Sequence, residues 1–151
     1  EAEDYNAMTS MIVHDDRIIC VGYAGIDIGF VAAMNRVTAD GVLDPTFNKG
    51  ETLLIDIPAD RPRYGVSFNS VAVQSDGNIV GAGFAGVNSH AYWLRVLDSG
   101  VLDVDFGNQG IVRYGQETLS WDLIVQSASQ RIIAAIDQVG GRNPQIFGIQ
   151  S

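Results

Sequence analysis

The chain has 151 residues, 46% of them apolar, and a formal net charge of −9. That composition suits a globular domain or a short repeat array and excludes an intrinsically disordered chain. The acidic balance, with no Lys/Arg stripe, argues against nucleic acid as a partner and against anionic lipid surfaces; its ordinary consequence is solubility.

In chain order, residues 1–6 are acidic and polar. Residues 8–13 form an apolar run, and "HDDR" (His14 to Arg17) reads as a turn. "IICVGY" (Ile18 to Tyr23) is rich in β-branched residues and reads as a strand; "FVAAMNRV" (Phe30 to Val37) reads as the next. "TADG" brings another turn, because Asp-Gly tolerates positive φ. The phrase "GVLDPTF" (Gly41 to Phe47) follows, closed by "NKG", and "TLLIDI" (Thr52 to Ile57) is a further strand. Residues 58–68, "PADRPRYGVSF", hold two prolines and two arginines and read as a long loop.

The pattern then returns. "NSVAVQ", "SDG", "NIVGAGF" and "AYWLRVL" match the earlier segments in order, and "GVLDVDF" (Gly100 to Phe106) lies 59 residues after its first copy. A third round runs "IVRYG", "WDLIVQ", "RIIAAID" and "QIFGIQ". It is shorter, because residues 58–68 have no equivalent in it. Recurrence of a long phrase at a fixed spacing marks a repeat architecture.

No segment carries a helical period, so the fold class expected is all-β. The unit is four antiparallel strands in roughly 60 residues. Its strands are apolar at nearly every position, which implies sheets covered on both faces. Repeated four-stranded sheets of this kind predict β-propeller-like blades, about three in the chain. Taking the strand after "NKG" or "NQG" as the first of a blade, the units are 7–37, 51–97 and 111–150, with connectors 38–50 and 98–110, in a single repeat domain spanning 1–151. Gly and Ala in "VGAGF" and "IIAAID" are read as letting neighbouring sheets approach near an axis, in preference to marking bulges.

Residues 69–112, "SVAVQSDGNIVGAGF…AYWLRVLDSGVLDVDFGNQGIV" in their main part, resemble the bacterial delta-60 repeat. That family pairs an apolar strand and Gln-x-Asp-Gly with an Ile-Val-x-Ala-Gly strand, then closes on Asp-Gly-x-Leu-Asp-x-x-Phe-Gly-x-x-Gly. Residues 7–55 fit with departures: "HDDR" lacks the glycine, and Asn48 replaces the glycine after Phe47. Residues 119–151 fit in strand pattern only. The resemblance implies propeller-like blades in a large secreted or cell-surface bacterial protein, with no assigned activity and no catalytic residues to carry over.

Three blades do not close a ring, since propellers use about four to eight. Self-association to complete a ring, or further repeats of a longer parent chain, is therefore expected; a dimer would supply about six blades. The chain begins at Glu1, which suggests a processed protein or an excised piece, and a removed export signal is compatible with this. No run of about 18 apolar residues occurs, so no membrane-spanning helix is expected. The lone Cys20 allows no intrachain disulfide and reads as a buried structural thiol.

Chemistry-bearing groups are sparse. His14 and His90 fall in turns or loops without metal-ligand spacing. Asp103, Asp105 and Asn108 lack the EF-hand spacing, and Asp44 and Thr46 in the first copy break the ligand set; an Asx turn is expected at both. Gly81, Gly83 and Gly86 precede no helix and make no phosphate loop. Glu117 and Asp122 are the nearest candidates for a glycosidase pair, a minority reading against solvated loop acids. Trp93 reads as packed between blades, whereas Trp121, beside Asp122, is a candidate for stacking on a sugar. The candidate binding residues are thus Arg61, Arg63 and Tyr64 on the inserted loop and Trp121 and Asp122 on a strand; no cofactor, metal or catalytic residue is assigned. The function expected is a non-enzymatic binding module for a protein or glycan. The alternatives are a propeller-type glycoside hydrolase or lyase, and a purely structural segment of an adhesin.

Overall fold

A computed structural model describes residues 6–26, 29–57, 65–86, 90–138, 141 and 144–149. The chain is all-β. Strands β1 (Asn6–His14), β2 (Arg17–Ile26), β3 (Gly29–Thr38) and β4 (Leu53–Ile55) form the first sheet, in that order. The central sheet is β5 (Ser67–Val73), β6 (Ile79–Ala85), β7 (His90–Val96) and β8 (Ile111–Tyr114). The third sheet is β9 (Thr118–Val125), β10 (Ile132–Gln138) and β11 (Gln145–Ile149). All strand pairs are antiparallel meanders between sequence neighbours. The tight turn from β1 to β2 places Asp15 and Asp16 at φ 47° and 58°, the doubly left-handed geometry that matches strand twist in a two-residue hairpin.

The sheets stack face to face, with the central one between the others. One apolar core joins the first and central sheets around Ile19, Val21, Met34, Phe68, Ile79, Tyr92 and Leu94. A second joins the central and third sheets around Val80, Ala82, Trp93, Phe106, Leu123, Ile132 and Ile136. Strand alternation explains the division: Tyr92 and Leu94 point one way from β7, Ala91 and Trp93 the other. The central sheet is therefore the one with a neighbouring sheet on each face, among the described residues. The outer face of the first sheet exposes Met11 (68%) and Val13 (69%), and that of the third exposes Ile124 (58%) and Ile146 (80%).

The unit boundaries differ from those expected. Residues 53–55 pair with Ala32–Met34 of β3, and Ile111–Tyr114 pair with β7, so each strand after a connector closes the preceding sheet. The connector causes this by doubling back: Leu43 bridges to Val37, and the Asp44 amide donates to the Arg36 carbonyl at 2.8 Å. The chain then re-emerges beside the strand it left. The sheets accordingly run 6–55, 67–114 and 118–149, and the third has three strands among the described residues.

The glycine reading is also corrected at Gly83, and Gly22 behaves in the same way. Gly22 and Gly83 stand opposite register shifts in β1 and β5. A Cβ on Gly22 would lie 1.8 Å from the Ala7 carbonyl oxygen, and one on Gly83 1.9 Å from that of Ser67. These glycines admit the neighbouring strand's bulge within their own sheet; they do not serve the approach of one sheet to another.

Candidate interaction site

The two connectors build similar local structures around the same three residue types, an aspartate, an arginine and a phenylalanine. In the first, Asp44 is buried and its carboxylate accepts from the Thr46 amide (2.9 Å) and hydroxyl (2.6 Å), an Asx turn. It also accepts from Arg17 Nε at 2.5 Å and Arg36 Nε at 2.9 Å. Burial by itself pushes the Asp44 carboxyl up, but the Thr46 bonds, Arg17 and the charge of Arg36 together hold it well below the usual carboxylate range. In the second connector, Asp103 accepts from the Asp105 amide at 3.1 Å and from Arg95 Nε at 2.6 Å. Phe47 and Phe106 are both buried, beneath the guanidinium groups of Arg36 and Arg95. Leu43, by contrast, is 39% exposed. The role of Arg36 and Arg95 was not foreseen. Each stands eight residues before its aspartate and 59 residues from the other, and that recurrence is the signal that identifies them.

The connectors also meet one another. Arg36 Nη1 pairs with Asp98 Oδ1 at 2.5 Å, and the Asn48 amide donates to the Ser99 carbonyl at 2.9 Å. Beside this seam lies a polar cleft of about 290 Å³ between the first and central sheets, lined by His14, Asp15, Arg17, Arg36, Asp76 and Asp98 among others. Arg17 and Arg36 are already engaged by Asp44 and Asp98, so the cleft is a polar seam between sheets in which its arginines hold protein carboxylates.

Of the candidate residues, Arg61, Arg63 and Tyr64 lie outside the described residues. Trp121 is on β9 and 53% exposed. Asp122 is tied down: its Oδ1 accepts from the Ser70 hydroxyl of β5 at 2.6 Å and from the Leu123 amide at 2.9 Å. It thus joins the third sheet to the central one. The two histidines do not match the expectation that both sit in turns or loops. His14 ends β1 beside Asp15, whereas His90 is buried at the start of β7 with its Nδ1 against the Gly115 carbonyl. Trp93 is buried between sheets, as expected, with Tyr114 at 6.3 Å between ring centroids and Phe147 tilted against Tyr114 beyond it.

The outer face of the third sheet forms a shallow apolar groove of about 180 Å³, lined by Asp122, Leu123, Ile124, Ile133, Ala135 and Ile146. With Trp121 on the same β9, it is an exposed apolar surface with little polar lining. Such a surface suits contact with another apolar surface and supplies no acid–base or nucleophilic group arrangement. Among the described residues no group of three His, Cys, Asp or Glu is placed to hold a metal ion, and no helix is long and apolar enough to cross a membrane. No family model matches the chain, and no curated protein matches it.

Proposed function

We propose that the chain is a β-propeller-like, non-enzymatic interaction module of the delta-60 repeat type, belonging to a secreted or cell-surface bacterial protein, and that its ligand is a protein. The repeated connectors and the serial stacking of meander sheets support the blade reading. The observation that carries the interaction reading is the uncovered outer face of the third sheet, where Ile124 and Ile146 are exposed in a groove that is otherwise apolar. Apolar surface of this kind is stabilised by removal from water, and a sugar would leave it without partners for its hydroxyls.

A glycan is the second reading, favoured by the exposure of Trp121 beside Asp122. A glycan array probed with the chain, and in parallel with a Trp121→Ala variant, decides between them. The protein reading expects a blank array. Hits that vanish in the variant would make the ligand a sugar. Turnover of chromogenic glycosides by the chain would overturn the non-enzymatic reading itself.

A further inference from the structure

The three sheets carry equivalent positions, and their interfaces can be compared one by one. Each sheet has a face turned toward the preceding sheet, its leading face, and one turned toward the next, its trailing face. On the central sheet, Phe68, Val71 and Val73 of β5 lead into the first core. Their equivalents Leu123 and Val125 on β9 lead into the second core, and Ser120 is buried there. In the first sheet the same positions are Met8, Met11 and Val13, and all three are exposed. The trailing positions behave in the opposite sense. Val21 and Met34 of the first sheet and Ala82 and Trp93 of the central sheet are buried in the two cores. Their equivalents in the third sheet are Ala135 and Ile146, both exposed. One end of the stack thus presents a leading face left exposed along β1, though Val31 and Ala33 of β3 on it are buried, and the other a trailing face left exposed at Ile124, Ala135 and Ile146.

A polar contact follows the same order. The first strand of every sheet bulges at one residue: Thr9 in β1, Asn69 in β5 and Trp121 in β9. The Thr9 hydroxyl donates to the Phe68 carbonyl at 2.5 Å, and Asn69 Nδ2 donates to the Ser120 carbonyl at 2.8 Å. In both cases the bulged side chain reaches the carbonyl just before the bulge of the next sheet. Trp121 is the third member of this series, and its indole N–H is a donor only.

We propose that a second copy of this chain docks its first sheet on the third sheet, head to tail. Met8, Met11 and Val13 of the second copy cover Ile124, Ala135 and Ile146, and the Trp121 indole donates to the Met8 carbonyl of that copy. The inference rests on the interaction-module reading and names its partner. The occupant is chosen by continuity, because both interfaces inside the chain already join a trailing face to a leading face in this register. The contact is heterologous, so repetition gives a ring if the rotation closes and a filament if it does not.

Sedimentation velocity on the whole chain tests it. The wild-type chain is expected to associate as concentration rises. Met11→Asp destroys the leading face, Ile146→Asp the trailing face, and each variant alone is expected to remain monomeric. An equimolar mixture is expected to form a dimer and nothing larger, since only one complementary pair of faces survives. Both positions are exposed in the isolated chain, and unchanged far-ultraviolet circular dichroism would confirm that the variants fold. Trp121→Phe keeps the apolar contact and removes the donor, and is expected to weaken association about fivefold, the worth of one ordinary hydrogen bond. A wild-type chain that stays monomeric overturns the inference, as does Ile146→Asp associating alone or a mixture that stays monomeric. An unchanged association constant for Trp121→Phe removes the hydrogen bond from it. None of these results touches the protein-ligand reading, which falls to array hits or glycoside turnover instead.

Discussion

The guanidinium carbon of Arg36 lies 5.2 Å from the centroid of the Phe47 ring while its Nε donates to the buried carboxylate of Asp44. Arg95 repeats the arrangement over Phe106 at 4.8 Å. Each arginine covers an apolar ring and neutralises a buried acid with the same planar group, a combination lysine cannot reproduce.

Removing the Asp44 carboxylate takes the acceptor from both Arg17 Nε and Arg36 Nε and leaves buried Arg36 only the exposed Asp98 as a counter-ion. Asp44→Ala is expected to destabilise the chain by about 3–5 kcal/mol, read by urea unfolding. The pH dependence has a definite sign. Because folding lowers the Asp44 pKa, its stabilisation is fully present above the unfolded carboxylate value of about 4 and is lost as pH falls below it toward the depressed native value. Asp44→Asn is expected to be less stable at neutral pH and to show a shallower loss of stability in acid. Parallel slopes for the two proteins would refute the assignment.

The Arg36–Asp98 contact has a different weight. Asp98 is 68% exposed at its side chain, so solvent and salt screen the pair. Asp98→Ala is expected to cost less than about 1 kcal/mol, and that cost is expected to shrink in high salt. A larger effect, independent of salt, would mean that Asp98 holds the seam between connectors by some other means.

Glycines separate into two classes. Gly22→Ala and Gly83→Ala drive a Cβ into a backbone carbonyl and are expected to cost about 3 kcal/mol or more, at the upper end for overpacking. At Gly41 (φ +78°) nothing lies within 4 Å of an added Cβ, so Gly41→Ala carries only the left-handed penalty of about 1–2 kcal/mol. Thermal unfolding of the three variants would rank them, and equal shifts would contradict the bulge geometry.

Trp93 fills the space between the central and third sheets and is almost fully buried. Trp93→Ala is expected to destabilise by about 3–5 kcal/mol. Because Trp121 is exposed, the remaining tryptophan emission of this variant should be red-shifted relative to wild type.

The strands of the central sheet were legible because β6 and β7 are short apolar runs bounded by Asp-Gly and Asp-Ser-Gly turns. The connectors were legible because their phrase recurs, and the Asx turns at Asp44 and Asp103 follow from the residue types. The strand that closes each sheet was misassigned, because pairing after a connector depends on which way the chain doubles back, and Leu53–Ile55 reads alike with either neighbour. Bulges at Thr9, Asn69 and Trp121 leave no trace in an apolar run, since the extra residue only shifts the alternation. Exposure was hidden for a similar reason. Met11 and Ile146 are as apolar as their buried equivalents, and composition does not say which sheet lacks a neighbour.

Among the described residues, every sheet has one edge interrupted by a bulge, in β1, β5 or β9, and an opposite edge strand of five residues or fewer, in β4, β8 or β11. Both devices deny a foreign strand a long, regular row of free backbone groups. Strand addition of the amyloid type is therefore blunted along these six margins, and the broad apolar surfaces left at the two ends of the stack, around Met11 and Ile146, are not lined up for it.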